Sequence, residues 1–397
     1  MLTQEQKNLV KSTIPTLKEN NILLTSDFYK RMIQGNPELK HIFNMGNQQN
    51  GRQHVALANA VIMLAEHIEN PSVLMSVGKH IGEKHTSLNI RPEYYQVVGK
   101  HLIASIGMVL GSAATEELMD AWKTAYGQLA YMMIGVEQEM YKNQISKNGG
   151  WTGWKPFTVF KKEKESEEIT SFYLKPTDGG PVADFLPGQY ISLRLFLPQL
   201  QLLQPRQYSV SCAPNGAYYR ISVKKEAGAQ HPDGMISNYL HQSVAEGQQI
   251  ELTAPSGSFT LQEPEQKDQV FISGGVGQTP LLSMLEQLLN IKTGRKITWI
   301  HGCKNESVHA FRNRLSELCT EHSNITPYFF YDQKDTDQVH IREGWVTLDA
   351  LNTDILKQDT HYYICGPGDF IRKHYDFLIG QGIEQSAIHF EEFGAAS

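Results

Sequence analysis

The residue texture of this chain changes twice, and those two changes constrain its fold more than any single motif. From residue 3 to about residue 147 the apolar positions recur at helical spacing, with little strand alternation. Thr3 and Gln6 fit a capping box that opens the first helix, and Pro92 sits where a helix start tolerates proline. Leu57, Val61, Leu64 and Ile68 follow one another at intervals of four, three and four, which places them on one buried helical face. Six or more helices in under 150 residues predict an all-α domain, assigned to 1–147.

Asn148-Gly149-Gly150 breaks the pattern, and Trp151-Thr152-Gly153-Trp154 follows it. From Pro156 the segments Phe157–Lys162, Ile169–Lys175, Tyr190–Leu197, Gln207–Cys212, Tyr218–Lys224 and Gln249–Ala254 alternate or are rich in β-formers. Asp178-Gly179-Gly180 and Asn215-Gly216 supply turns, and the mixed-charge run Lys161–Glu168 reads as a solvated hairpin tip. Six short strands with one helical insertion near Met235–Leu240 predict a small antiparallel barrel over 151–262. After Glu263-Pro264 the rhythm becomes strand, helix, strand. The strands are Val270–Ser273, Ile297–His301, Thr326–Tyr331, His361–Cys365 and Ala387–Glu391; the helices are Pro280–Asn290, Phe311–Cys319 and Asp369–Ile379. That alternation predicts a parallel sheet covered on both faces, over 266–397.

Bulk properties exclude some partners. A length of 397 residues suits two or three domains. A net charge of −6 argues against nucleic acid or anionic membrane as the main partner. Cys212, Cys303, Cys319 and Cys365 are widely spread with no Cys-x-x-Cys, which argues against structural zinc and iron–sulfur clusters and for thiols in a reducing cytosol. The first residues lack a secretory signal, and no apolar run approaches the ~18 residues of a membrane span. The expectation is a cytoplasmic monomer without transmembrane anchoring.

Three motifs carry chemistry. Arg206-Gln207-Tyr208-Ser209 puts a cation, an aromatic ring and a hydroxyl on one strand, as a flavin requires: Arg206 for the pyrophosphate, Tyr208 against the ring, Ser209 as donor. Pro187-Gly188-Gln189-Tyr190 adds a tight turn and a second aromatic, and Gly234-Met235-Ile236-Ser237-Asn238 opens a helix suited to a diphosphate. Gly274-Gly275-Val276-Gly277-Gln278-Thr279-Pro280 lies between a strand and a helix, where glycines permit close backbone approach and the helix start favours a pyrophosphate. Cys365-Gly366-Pro367-Gly368 ends a later strand, where such sheets bind ligands. Together they predict FAD and a nicotinamide coenzyme, with NADH and NADPH both open; Lys304, Arg312 and Arg314 are cations that a 2′-phosphate could meet.

The helical third contains His41, His54, His67, His80, His85 and His101. Ile81 places an apolar neighbour on the face of His85, yet His80 and His101 have similar settings, so periodicity does not choose among them. Here a resemblance enters. Asn36-Pro37-Glu38-Leu39 leading to Ile42-Phe43-Asn44, Lys84-His85-Thr86, Tyr94-Tyr95 and Glu137-Gln138-Glu139 are similar to globin segments, and end to end the chain resembles the flavohaemoglobins, the bacterial and fungal nitric oxide dioxygenases. The resemblance implies haem b with His85 as proximal iron ligand, and Tyr95 and Glu137 as the pair that holds it. On the opposite haem face it implies Tyr29, Gln53 and Leu57, with Phe43 wedging the ring. Lys84 and Glu391 match positions that bias electron flow, and Phe393 the aromatic that covers the flavin. Glu392 departs from the small or thiol residue common before the terminal Phe393-Gly394. The implied activity passes electrons from NAD(P)H through FAD to haem, where dioxygen oxidises nitric oxide to nitrate. A haem-based gas-binding protein or sensor with an attached reductase is the alternative, and a reductase whose helical domain holds no haem is a third reading.

Overall fold

The computed structural model describes residues 2–43, 52–226, 234–263, 266–333, 341–349, 351, 355–357 and 359–393. They form two compact units, Met1–Trp154 with Arg194–Arg206, and Lys155–Leu193 with Gln207–Ser397.

In the first unit seven α-helices are described: α1 Gln4–Ser12, α2 Ile14–Glu19, α3 Asn21–Gly35, α4 Arg52–Glu66, α5 Pro71–Ser87, α6 Pro92–Leu110 and α7 Glu116–Ser146. The Thr3–Gln6 capping box forms, with the Gln6 amide donating to Thr3 Oγ1 at 3.1 Å and the Thr3 amide to Gln6 Oε1 at 3.0 Å. Pro92 takes the first turn of α6, where its missing N–H costs nothing. Val10, Leu17, Leu24, Phe28, Met32, Leu64, Ile106 and Trp122 make the core. Each such aliphatic side chain contributes about 1.5–3 kcal/mol by leaving water. Leu57 is half-buried while Val61 and Leu64 are buried; Ile68 lies in the turn after α4 and is buried too. Gly99 of α6 meets Tyr126 of α7 so closely that a Cβ there would stand 2.4 Å from the ring, so only glycine lets these helices approach. Segment Arg194–Arg206 is tied to this unit by the Leu203 amide donating to His41 Nδ1 (3.0 Å) and by Gln204 Nε2 donating to the Lys40 carbonyl (2.9 Å).

The first sheet contains β1 Lys155–Lys164, β2 Ile169–Pro176, β3 Tyr190–Leu197, β4 Leu202–Ser209, β5 Tyr219–Lys224 and β6 Gln249–Leu252, in the order β4-β3-β6-β1-β2-β5. An antiparallel bridge between Val210 and Ile221 closes it into a barrel. Strand β4 starts and stops earlier than its sequence suggests. A turn at Leu197–Gln201 starts it at Leu202, and Pro205, which cannot donate to a ladder, masks it in the sequence. The charged run Lys161–Glu168 forms a hairpin tip only in its second half: Glu165–Glu168 joins β1 to β2, and Lys161, Lys164 and Glu167 are exposed. Lys161–Lys164 belongs to β1, and the Lys162 ammonium donates to the Val244 carbonyl at 2.5 Å, closing the C-terminal end of helix α8, Met235–Ser243. Ser171 Oγ donates to Glu165 at 2.5 Å, and burial raises that carboxyl above its usual range.

The second sheet contains β7 Asp268–Gly274, β8 Ile297–Cys303, β9 Ile325–Tyr331, β10 Ile341–Glu343, β11 Thr360–Gly366 and β12 Ile388–Glu392. Its order is β10-β9-β8-β7-β11-β12, and all its pairings are parallel. Helices α9 Gln278–Asn290, α10 Arg312–Glu321 and α11 Gly368–Gly380 connect the strands. Phe271, Trp299 and Tyr363 face one core with Leu282 and Leu285; Val270, Ile272, Ile300 and Ile364 face the other with Leu378. Burial on both faces is what parallel strands need. Strand β10 was not anticipated because three residues carry no periodicity. Among the described residues no helix is long and apolar enough to cross a membrane.

Candidate haem, flavin and nicotinamide sites

Helix α5 delivers His85 in its last turn. Its Nδ1 lies 2.7 Å from Glu137 Oε1 and 3.0 Å from the Tyr95 hydroxyl, and that hydroxyl donates to the same carboxylate oxygen. Glu137 is only 2 % exposed, so it is a buried carboxylate held by two donors. Burial, reinforced by the Glu137 charge, raises Tyr95 far above the usual phenol range and keeps its proton in place. With Nδ1 engaged, Nε2 is the nitrogen that can ligate a metal. The other candidates have different surroundings. His80 projects into solvent, 3.9 Å from Glu83, and His101 Nε2 lies 3.2 Å from Asn36 Oδ1.

Tyr29 of α3 is buried, with its ring edge-on to Phe28 at 5.0 Å and to Phe43 at 5.9 Å. Burial holds its hydroxyl well above its ordinary pKa, so it remains a donor. Leu57 and Phe43 pack on the same core. Gln53 belongs to α4, but its side chain lies outside the described residues, as do Asn44 and residues 227–233. Lys84 is exposed in the last turn of α5.

Sequence reasoning missed Tyr126, whose hydroxyl donates to the Tyr95 carbonyl at 2.7 Å, and Tyr141, which donates to the Ile90 carbonyl at 2.8 Å. Tyr126, Ala130, Met133 and Glu137 follow at intervals of four, three and four. A carboxylate continuing an apolar stripe was the available signal.

The flavin motif lies on β4. Arg206, Gln207 and Tyr208 are half-buried and Ser209 is 5 % exposed. Pro187 and Gly188 are the central residues of a turn closed by the Gln189 amide on the Leu186 carbonyl, with Gly188 at φ 101°. The Val210 amide donates to the Gln189 carbonyl at 2.9 Å, which sets that turn beside the end of β4. Tyr190 lies against Gly257, where a Cβ would stand 2.9 Å from the ring. Ser237 Oγ donates to the Gly234 carbonyl at the start of α8, so its hydroxyl is committed to the backbone.

Three chain segments meet at the carboxyl ends of β7, β11 and β12. Cys365 pairs in register with Glu391 and Gly366 with Glu392, and the Phe393 amide donates to the Gly366 carbonyl at 2.8 Å. A Cβ on Gly277 would stand 2.2 Å from the Cys365 carbonyl oxygen. Cys365 therefore contributes its backbone here. Its side chain is fully buried with Phe271 and Tyr363, and burial, followed by the nearby Glu391, pushes its thiol well above the usual range. Gln278 and Thr279, which open α9, are also buried; Thr279 Oγ1 donates to the Val276 carbonyl, while Gln278 Oε1 has no partner among the described residues. An orphaned buried acceptor beside a glycine cradle fits a bound coenzyme. Gly394 lies outside the described residues.

A buried carboxylate–histidine–phenol cluster in a helical bundle, followed by a closed barrel and a parallel sheet with a glycine loop, defines a globin joined to a ferredoxin-reductase-type module. Family profiles agree: Globin matches residues 26–133, Oxidoreductase FAD-binding domain 156–261, and Oxidoreductase NAD-binding domain 271–375. The chain is 47% identical over 399 residues to the flavohemoprotein of Bordetella pertussis, covering 99% of both proteins. It is 43% identical to that of Bacillus subtilis, covering 99% of this chain and 98% of the relative. It therefore belongs to the flavohemoprotein family. Among solved structures it resembles the flavohemoglobin of Malassezia yamatoensis with bound FAD and heme (TM-score 0.86, 26% identity, 99% of this chain and 100% of that one). It also resembles the FAD/NAD-binding domain of nitric oxide dioxygenase from Vibrio cholerae (TM-score 0.56, 34% identity, 60% of this chain and 98% of that one).

Proposed function

We propose that this protein is an NAD(P)H-dependent nitric oxide dioxygenase that oxidises nitric oxide to nitrate with dioxygen. The haem domain is 1–147, the FAD domain 151–262 and the nicotinamide domain 266–397. The observation that carries this reading is the bond from His85 Nδ1 to buried Glu137, reinforced by Tyr95. A carrier needs no such carboxylate; one that makes the ligand more basic favours oxygen activation over storage.

When bound, haem supplies an iron for dioxygen, and FAD accepts a hydride and passes electrons on singly. His85 Nε2 would ligate that iron while Glu137 accepts the hydrogen bond from Nδ1–H. Tyr29 would offer its hydroxyl to dioxygen, Gln53 and Leu57 would line the same pocket, and Phe43 would wedge the haem. Arg206, Gln207, Tyr208, Ser209, Tyr190 and Ser237 would hold FAD, and Phe393, with Glu392 and Gly394, would cover it. Gly275–Pro280 and Cys365–Pro367 would hold the coenzyme through their backbone, and Lys84 and Glu391 would bias electron flow. A cytoplasmic monomer is part of the same proposal; four free cysteines fit a reducing compartment. Nitric oxide consumption is the test. Purified protein loaded with haem and FAD should remove it in the presence of NADH and oxygen; protein that leaves it untouched refutes the activity.

A further inference from the structure

The strand that carries the flavin motif and the helix that begins at the coenzyme loop are fastened to each other. Past Ser209 the chain runs on through Val210 to Ser211, Cys212 and Ala213. The Ala213 amide donates to Glu286 Oε2 at 3.0 Å, and Ser283 Oγ donates to the Cys212 carbonyl at 2.7 Å. Glu286 Oε1 accepts from Arg220 Nη2 at 3.1 Å, and Arg220 in turn donates Nε–H to Ser211 Oγ at 3.1 Å and Nη2–H to the Ser211 carbonyl. The Arg220 guanidinium also stands 5.6 Å from the centre of the Phe311 ring, just before α10. Both oxygens of Glu286 are used, and the two charged side chains are only 10 % and 17 % exposed. A cavity of about 480 Å³ opens beside them, so water reaches one side of the pair.

Thr279, Ser283 and Glu286 are spaced four and three apart, which puts them on one face of α9. The face that begins at the coenzyme loop thus ends in the fastening. Eight residues of helix between Gln278 and Glu286 span about 12 Å. On the other side Ala213 is four residues past Ser209, which ends β4, with a bend at Cys212, so the two lie within about 14 Å. Displacement at the fastening is therefore carried to the coenzyme loop along helix α9 and to the flavin strand through four residues of backbone.

We propose that Glu286, with Arg220 and Ser283, is a positioning residue for hydride transfer: it sets the separation between nicotinamide and flavin while touching neither. This rests on the functional reading above. In the step concerned the C4–H bond of the nicotinamide breaks and an N5–H bond of the flavin forms, both electrons leaving with the hydride. Misplacement of about 1 Å can slow such a step by about 10²-fold.

The test uses full-length protein loaded with FAD and haem, mixed rapidly with NADH or with NADH deuterated at C4, following flavin bleaching. Glu286→Ala should slow bleaching at saturating NADH by about 10- to 100-fold and raise the deuterium isotope effect. NADH affinity should stay within about threefold, and Glu286→Gln, which keeps an acceptor for the Ala213 amide, should recover most of the rate. In flavin-free protein, hydrogen exchange at the Ala213 amide should rise by about tenfold or more in Glu286→Ala. Ser283→Ala, which removes one bond and no charge, should slow bleaching in the same direction and decides the matter if Glu286→Ala does not fold. Wild-type protein that reduces its flavin, beside variants bleaching within twofold of it with an unchanged isotope effect, overturns this inference alone. Wild-type protein whose flavin stays oxidised under NADH overturns the functional reading and this inference with it.

Discussion

Glu137 Oε1 lies 2.7 Å from His85 Nδ1 although 52 residues separate them, and two glycines line the helix contact that brings them together. Gly78, Gly82 and His85 share one face of α5 at intervals of four and three. A Cβ at Gly78 would lie 3.1 Å from Met133 Sδ, and one at Gly82 3.2 Å from Val136 of α7. With no side chain at either position, Met133 and Val136 of α7 pack close to the α5 backbone on the face that carries His85. The site is thus set by helix packing as much as by its polar groups.

Glu137→Gln removes the charge and keeps the shape. Haem-loaded protein should consume nitric oxide about 10- to 100-fold more slowly, while NADH reduces its flavin at close to the normal rate. The iron–histidine stretch in the ferrous resonance Raman spectrum should shift to lower frequency. Equal slowing of both steps would remove the role assigned to this carboxylate.

Tyr29→Phe deletes one hydroxyl from a buried ring and leaves its edge-on contacts with Phe28 and Phe43 intact. A hydrogen bond of this kind contributes about 0.5–1.5 kcal/mol, so dioxygen should dissociate about 2- to 13-fold faster. Laser photolysis with rebinding measures this directly. An unchanged dissociation rate counts against Tyr29.

Gly277→Ala would place a methyl group 2.2 Å from the Cys365 carbonyl, and neither backbone can yield easily. Overpacking of this kind costs about 1–3 kcal/mol. Titration should show at least a tenfold weaker affinity for NADH, with haem absorption unaltered. Normal coenzyme affinity would show that this close approach is not part of the nicotinamide site.

His374 is 1 % exposed, and neither ring nitrogen has a partner among the described residues. Burial, and secondarily Lys373, lowers its pKa from 6.5 to about 4. The folded chain keeps it neutral while the unfolded chain takes a proton below about pH 6.5, so stability is lost as pH falls from 6.5 towards 4, by up to about 1.4 kcal/mol per pH unit. His374→Phe, which preserves a ring against Phe370, should flatten the fall measured by urea unfolding at pH 7 and pH 5. An identical slope in both proteins would show that His374 does not titrate on unfolding.

The element types and the three-part organisation were legible in the sequence because period and composition report local physics. Helical spacing through residue 147, alternation after Pro156 and the strand–helix rhythm after residue 264 each state what one segment must bury. The nucleotide motifs were legible because glycine marks backbone demands: Gly188 is needed for its own positive φ, and Gly277 for the close approach of the Cys365 carbonyl. What tertiary structure decided is which side chains meet across long separations. His85, His80 and His101 look alike along the chain, and only packing against α7 gives one of them a buried carboxylate. Cys365 turns its thiol into the core and leaves only its backbone at the glycine loop. Lys162 and Glu165 look solvated until α8 and β2 close over them. Arg220 and Glu286, 66 residues apart, look like two surface charges until the barrel meets α9. A single chain carries its periodicities in local order, but a buried charge is satisfied only by whatever the fold brings beside it.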